Sequence, residues 1–208
     1  QASLAKVIPM HRVGFGEVLR LVGAATVAGL VDRALGCYAV SAERLRESLL
    51  FHALASEALA GYAHIDSRSA YSAGLVRGIG TMVLDRVGRL RVTGTHAFDP
   101  QKFTVYGEWE RARFGMSGLE ATSTVLEEWR FPADLVKALR EHLMLEESDF
   151  ENPFACVLNL AGAVVAEHCL ALPGDAACWE VTPAKLAAID IDEEQFRTFL
   201  IPHLISWC

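Results

Sequence analysis

The sequence predicts an all-α fold of antiparallel helices joined by short loops. Three observations predict it. Apolar residues recur at helical spacing through most of the chain. Helix-start signals stand ahead of those runs. Strand character is confined to two short stretches, LRVTGT at 90–95 and FTVY at 103–106.

The elements follow in order. The stretch 41–61 spaces Leu45, Leu49, Phe51, His52 and Leu59 near one helical face, with Ser41 as N-cap and Gly61 as stop. A second helix is predicted over 69–84, with Ala73, Val76, Ile79 and Val83 on one stripe. Its glycines at 74, 78 and 80 lower helix propensity but let another backbone approach closely. The region 92–108 reads as an irregular connection. Ser117 and Glu120 then form an S-x-x-E capping box, which opens a helix running to about Trp129. Pro132 suits the first position of the next helix, ending near Leu143. Pro153 precedes a long apolar helix that runs to Leu172, Pro173 and Gly174. Thr182 with Pro183, and Asp190 through Glu193, mark two short final helices.

Composition narrows the function classes. With 208 residues and 52% hydrophobic side chains the chain can bury a core without staples. Its net charge of -7 and short basic clusters (Arg86, Arg89, Arg91; Arg111, Arg113) argue against nucleic acid or an anionic membrane as partner. Five cysteines, an odd number with no CxxC pair, point to a reducing compartment and a cytoplasmic location. No leader peptide is visible. The apolar stretch 154–172 is interrupted by Asn159, Glu167 and His168, and 18–31 is too short to span a bilayer, so no membrane insertion is expected.

Chemical motifs are sparse. None of the seven histidines stands at the i, i+4 spacing of a helical zinc pair, and there is no HExxH, nucleophile elbow or Walker loop. Gly14-Phe15-Gly16 begins a GxGxxG, but Leu19 holds the third glycine position. His52 and His142 fall on different helices and can converge in the core, where a histidine is most often a hydrogen-bonded structural residue.

Three ungapped blocks carry a family resemblance: LLFHALASEALA at 49–60, AYSAGLVRGIGTMVL at 70–84 and FGMSGLEATSTVLEEWRFPADLVKALREHL at 114–143. They resemble, in order and spacing, the LWxHSxxxAxxA, AFxxGLLHDIGxLVL and FGxxHxExGxxLLxxWxxPxxIxxAIxxHH segments of the HDOD domain. HRVGFGEVLRLV at 11–22 and the apolar helix at 154–172 resemble the family's flanking helices. The resemblance implies an HD-domain-like helical bundle. Residues 1–35 would end an N-terminal helical subdomain, apparently truncated, and 36–208 would form the HD-like core.

Members of the HD superfamily hold one or two divalent metals on histidines and a His-Asp pair, and the metal makes hydroxide available near neutral pH. His52 matches the first histidine. The His-Asp pair is replaced by Arg77 and Gly78, the histidine of FGxxH by Gly118, and the final His-His by His142 and Leu143. Two imidazoles do not make an ordinary hydrolytic site, and a guanidinium repels a cation. The expectation is therefore a protein without catalytic residues, metal or cofactor. Its degenerate pocket would comprise His52, Arg77, Gly78, Gly118, Glu120 and His142.

Arg77 with the two imidazoles suits a carboxylate or phosphate, while Glu120 is placed to neutralise Arg77 instead. The resemblance implies a signalling output module working through protein contacts. Its implied partners are receiver, cyclase or phosphodiesterase domains, in cyclic-di-nucleotide, motility or biofilm regulation of a bacterium. The alternatives are a metal-dependent phosphohydrolase acting on a nucleotide, and an anionic-ligand sensor.

Overall fold

A computed structural model describes residues 33–91, 97–144 and 147–200. The expected helix at 11–22, most of the N-terminal subdomain, the GxG turn and the LRVTGT run beyond 91 lie outside these residues. So do His11, His96, His203 and Cys208. The described residues form helices with no strand; their one β-like feature is a bridge between Leu35 and Val40.

Helix α1 (Ala42–Leu59) starts where the sequence places it: the Ser41 hydroxyl accepts a hydrogen bond from the Arg44 backbone N–H. Asp66 caps α2 (Ser67–Val76) through the Ser69 N–H. The single helix predicted over 69–84 is in fact two. α2 ends at Val76, and α3 (Ile79–Arg91) begins beyond a turn at Arg77 and Gly78.

The break has a local cause. The Thr122 hydroxyl accepts from the Gly80 N–H at 3.1 Å and donates to the Arg77 carbonyl at 3.3 Å. A neighbouring side chain thus satisfies main-chain groups that a continuous helix would pair internally. The glycine at 80 permits this approach, because a Cβ there would run into the Gly118 carbonyl and the Thr122 amide.

Helix α4 (Tyr106–Phe114) begins inside the region expected to be irregular, which ends at 108, and its first residue belongs to the expected FTVY run. It has no side-chain N-cap and carries Gly107 in its first turn, so local signals are weak. Burial of Tyr106 and Trp109 beside Tyr38 and Phe98 holds it. Gly115 ends it at φ +80°, in the left-handed region that favours glycine.

The capping box forms as expected. Ser117 accepts from Glu120 N–H, and Glu120 accepts from Ser117 N–H at 2.6 Å, opening α5 (Gly118–Glu128). Pro132 is the cap of α6 (Ala133–Glu141) rather than its first residue, and His142 closes that helix.

Asn152 caps α7 (Pro153–Glu167), where every residue over 154–165 is buried. A helix apolar on all sides must be central. Helices α1, α2 and α6 pack against α7, α1 most extensively. α7 stops short of the predicted 172: Cys169 takes φ +56°, and the Cys169 and Leu170 amides turn back onto the Ala166 and Val165 carbonyls. The freed connection, 168–182, runs over the end of the bundle. α8 (Pro183–Ala187) and α9 (Glu193–Leu200) follow at the predicted start signals. No helix among the described residues is long and apolar enough to cross a membrane.

Candidate functional site

Five of the six sequence-predicted residues come together, and Glu120 does not join them. α1 supplies His52, the α2–α3 turn supplies Arg77 and Gly78, α5 begins with Gly118, and the end of α6 supplies His142. A cavity of about 200 Å³ is lined by Arg77, Gly78, Gly118 and His142, together with Leu45, Thr81, Tyr106, Glu110 and Asp175. His52 and Glu120 do not line it.

Arg77 is the hub. Its side chain is buried, with one terminal nitrogen 2.9 Å from the Asp175 carboxylate and the other donating to the Ser48 hydroxyl at 3.3 Å. The guanidinium also lies over the Trp179 ring, 5.6 Å from its centroid. Asp175, from the connection after α7, is thus the counter-ion, in the place the sequence suggested for Glu120. Glu120 is committed to the capping box and stands 3.6 Å from Arg111 on the surface. Those bonds hold its carboxyl below its ordinary pKa.

The two histidines are fully enclosed. Their ring centroids lie 6.4 Å apart, and Trp179 stands 5.7 Å from His52 and 6.0 Å from His142. The indole is admitted by Gly162 of α7, because a Cβ at that position would overlap the Trp179 ring. His142 Nδ1 lies 2.7 Å from the Leu139 carbonyl and must donate to it, which leaves the Nε2 lone pair without a partner. Neither ring nitrogen of His52 has a partner of hydrogen-bond geometry, although the Leu158 backbone acts on it weakly.

Burial, reinforced by the Arg77 charge, pushes the His142 pKa down to about 3 and moves His52 in the same direction. Both rings are therefore neutral at physiological pH.

Gly118 has its own explanation. Its N–H donates to the buried Glu110 carboxylate at 2.5 Å, and Tyr38 donates to the other oxygen at 2.7 Å. A Cβ at 118 would sit 2.9 Å from one Glu110 oxygen and 3.1 Å from the other. A side chain at 118 would therefore require the Glu110 carboxylate to shift from its present bonds. Burial raises the Glu110 pKa, and its two hydrogen bonds only partly counter that. Sequence reasoning singles out none of Glu110, Asp175, Trp179 or Tyr38.

The metal implied by the HD fold does not fit these side chains. No three histidine, cysteine or carboxylate groups among the described residues are grouped to hold an ion. An indole packs against both imidazoles, and the guanidinium of the Arg77–Asp175 pair lies over that indole.

A pH response follows from the buried imidazoles. As pH falls below 6.5 the unfolded chain takes up a proton at position 142 that the folded chain refuses down to about 3. Stability is therefore lost across that window, by about 2 kcal/mol at pH 5 from His142 alone. His52 adds to the loss. Glu110 opposes it, because its raised pKa makes the folded state bind a proton first as pH drops. Urea midpoints measured from pH 7.5 to 5 should fall steeply in the wild type and less steeply, by about one proton, in His142→Gln. Parallel curves for the two proteins would remove the assignment.

The helical bundle with its cluster of a histidine pair, a turn at Arg77 and a glycine-opened α5 defines an HD-like module. The HDOD domain family matches residues 9–144, and the chain belongs to that family. Among solved structures it is similar to the MmoQ response regulator from Methylococcus capsulatus str. Bath. The two share 20% identity over 89% of this chain and 83% of that one, with a TM-score of 0.57, a likeness of fold. No curated protein matches. Asp175 and Trp179 come from beyond the family-matched segment.

Proposed function

We propose that this protein is a non-catalytic signalling output module that acts through protein contacts. The observation that carries the reading is what surrounds the two histidines. Trp179 packs against both His52 and His142, and the buried Arg77 guanidinium, paired with Asp175, lies over its ring, where HD-type chemistry requires converging ligands and an activated water. Membership of the HDOD family supports the regulatory role. The finer assignment is to a bacterial cytoplasmic pathway of cyclic-di-nucleotide, motility or biofilm control, with receiver, cyclase or phosphodiesterase domains as partners.

Two measurements test it together. With excess Mn²⁺, the purified chain should not hydrolyse bis-p-nitrophenyl phosphate or cyclic dinucleotides above buffer rates. Affinity capture from the source cell should recover one of those signalling domains, confirmed by binding of the purified pair. Metal-dependent turnover abolished by His142→Ala, or the recovery of no signalling domain, would sink the proposal.

A further inference from the structure

Helix α3 is apolar on two sides. On one, Met82, Leu84, Asp85 and Gly88 are buried in the interior. On the other, Val83, Arg86, Val87 and Leu90 stand at i, i+3, i+4 and i+7, the spacing of one continuous helical face. Ile79 lies one turn earlier on that face and is buried, so its cover ends before Val83. Beyond it Val83 is 37% exposed, Val87 is half-buried and Leu90 is 78% exposed. Single exposed apolar residues are ordinary on a protein surface. An aligned row over two turns is instead the pattern by which one helix packs on another.

The charge that α3 shows at the surface has one sign. Its sequence holds three arginines and one acidic residue, Asp85. The Asp85 carboxylate is fully buried, where it accepts from the Cys37 amide at 2.8 Å and pairs with Arg89 at 2.7 Å. Arg86 is exposed and has no carboxylate partner among the described residues. The outer face is thus a cationic, apolar seam on a chain whose net charge is -7.

Charge chooses the occupant. A second copy, pairing α3 with α3 about a twofold axis, would bring the two Arg86 side chains together near the centre of the seam, where like charges repel. An anionic membrane would meet the excess negative charge of the whole chain. A partner helix with an apolar stripe bordered by carboxylates covers the row and pairs with Arg86 as well.

We propose that this outer face of α3 docks an amphipathic helix of a partner protein whose apolar stripe is edged with glutamate or aspartate. The inference rests on the protein-contact reading above and adds to it a surface and the chemistry of the partner. Leu90 is the anchor, because it has the most surface to lose. Arg86, one turn before Leu90 on the same face, sets which charge is accepted.

The test uses three fluorescein-labelled peptides of about 18 residues, long enough for several helical turns. The first has leucines at helical spacing bordered by glutamates, the second has lysines in place of the glutamates, and the third is a scramble of the first. Fluorescence polarisation with the full chain should show saturable binding of the glutamate peptide alone. Leu90→Glu should weaken it by about tenfold or more, and Arg86→Glu should transfer binding to the lysine peptide. Both positions are exposed, so circular dichroism and melting temperature should stay at wild-type values. Equal binding of the lysine or scrambled peptide, undiminished binding by folded Leu90→Glu, or binding of no peptide would each overturn the proposal. So would binding to phosphatidylserine vesicles, or a wild-type dimer, that Leu90→Glu abolishes. Capture of a signalling domain by Leu90→Glu as strong as by wild type would overturn this face and leave the protein-contact reading intact.

Discussion

Replacing Asp175 with alanine should destabilise the protein by about 3–5 kcal/mol, the cost of leaving a buried charge without its partner. That is a large share of the roughly 5–15 kcal/mol that holds a typical domain together. The size follows from the surroundings of Arg77, whose side chain is only 5% exposed and has no other anionic partner among the described residues. Its hydrogen bond to Ser48 and its stacking on Trp179 do not neutralise a cation. Removing both charges, in Arg77→Met with Asp175→Leu, should recover most of the loss, since an apolar pair avoids the desolvation that the ions endure. Urea denaturation of the wild type, Arg77→Met, Asp175→Leu and the double variant measures the coupling directly. A cost below about 1 kcal/mol for Asp175→Ala would mean that water reaches the guanidinium and that the pair behaves as a surface one.

The second large effect is expected at Trp179. Trp179→Ala should cost about 3–5 kcal/mol, as for other buried aromatic truncations. The indole is 5% exposed, fills the space left by Gly162 and packs against both histidines. The variant should also change the acid response. Water entering the emptied space would solvate His142, letting its pKa climb from about 3 toward the ordinary 6.5. The pH dependence of stability should therefore flatten as the total stability falls. NMR titration of the imidazole protons reads this second effect independently of the first. An unchanged His142 titration in Trp179→Ala would show that the indole does not keep that ring dry.

Much of the framework is legible in the sequence because helix ends are local. Ser41, Ser117 with Glu120, Pro153 and Thr182 each announce a start within four residues of sequence. The differences arise where tertiary contact overrules local preference. The break at Arg77 and Gly78 depends on a hydroxyl from α5, and the early end of α7 on a left-handed Cys169. α4 escapes sequence reasoning because its stability comes from two buried aromatics rather than from a cap or periodicity. At the site, the blocks identify His52, Arg77, Gly78, Gly118 and His142, because each stands at a fixed offset within a resembling segment. Asp175 and Trp179 lie in an irregular connection that carries no motif. Their roles exist only once α7 has brought that connection over the cavity.

The pairing of Gly118 with Glu110 has a consequence for rebuilding chemistry in this fold. A histidine at 118 cannot enter while the Glu110 carboxylate keeps its bonds to the Gly118 amide and Tyr38. Shortening Glu110 first would orphan the Tyr38 hydroxyl and the amide in a dry interior. A His-Asp in place of Arg77 and Gly78 would leave Asp175 buried without its cation. The metal-binding arrangement and the present one are therefore separate packings of the same scaffold, with unstable sequences between them. Single substitutions lead away from the present arrangement without reaching the other.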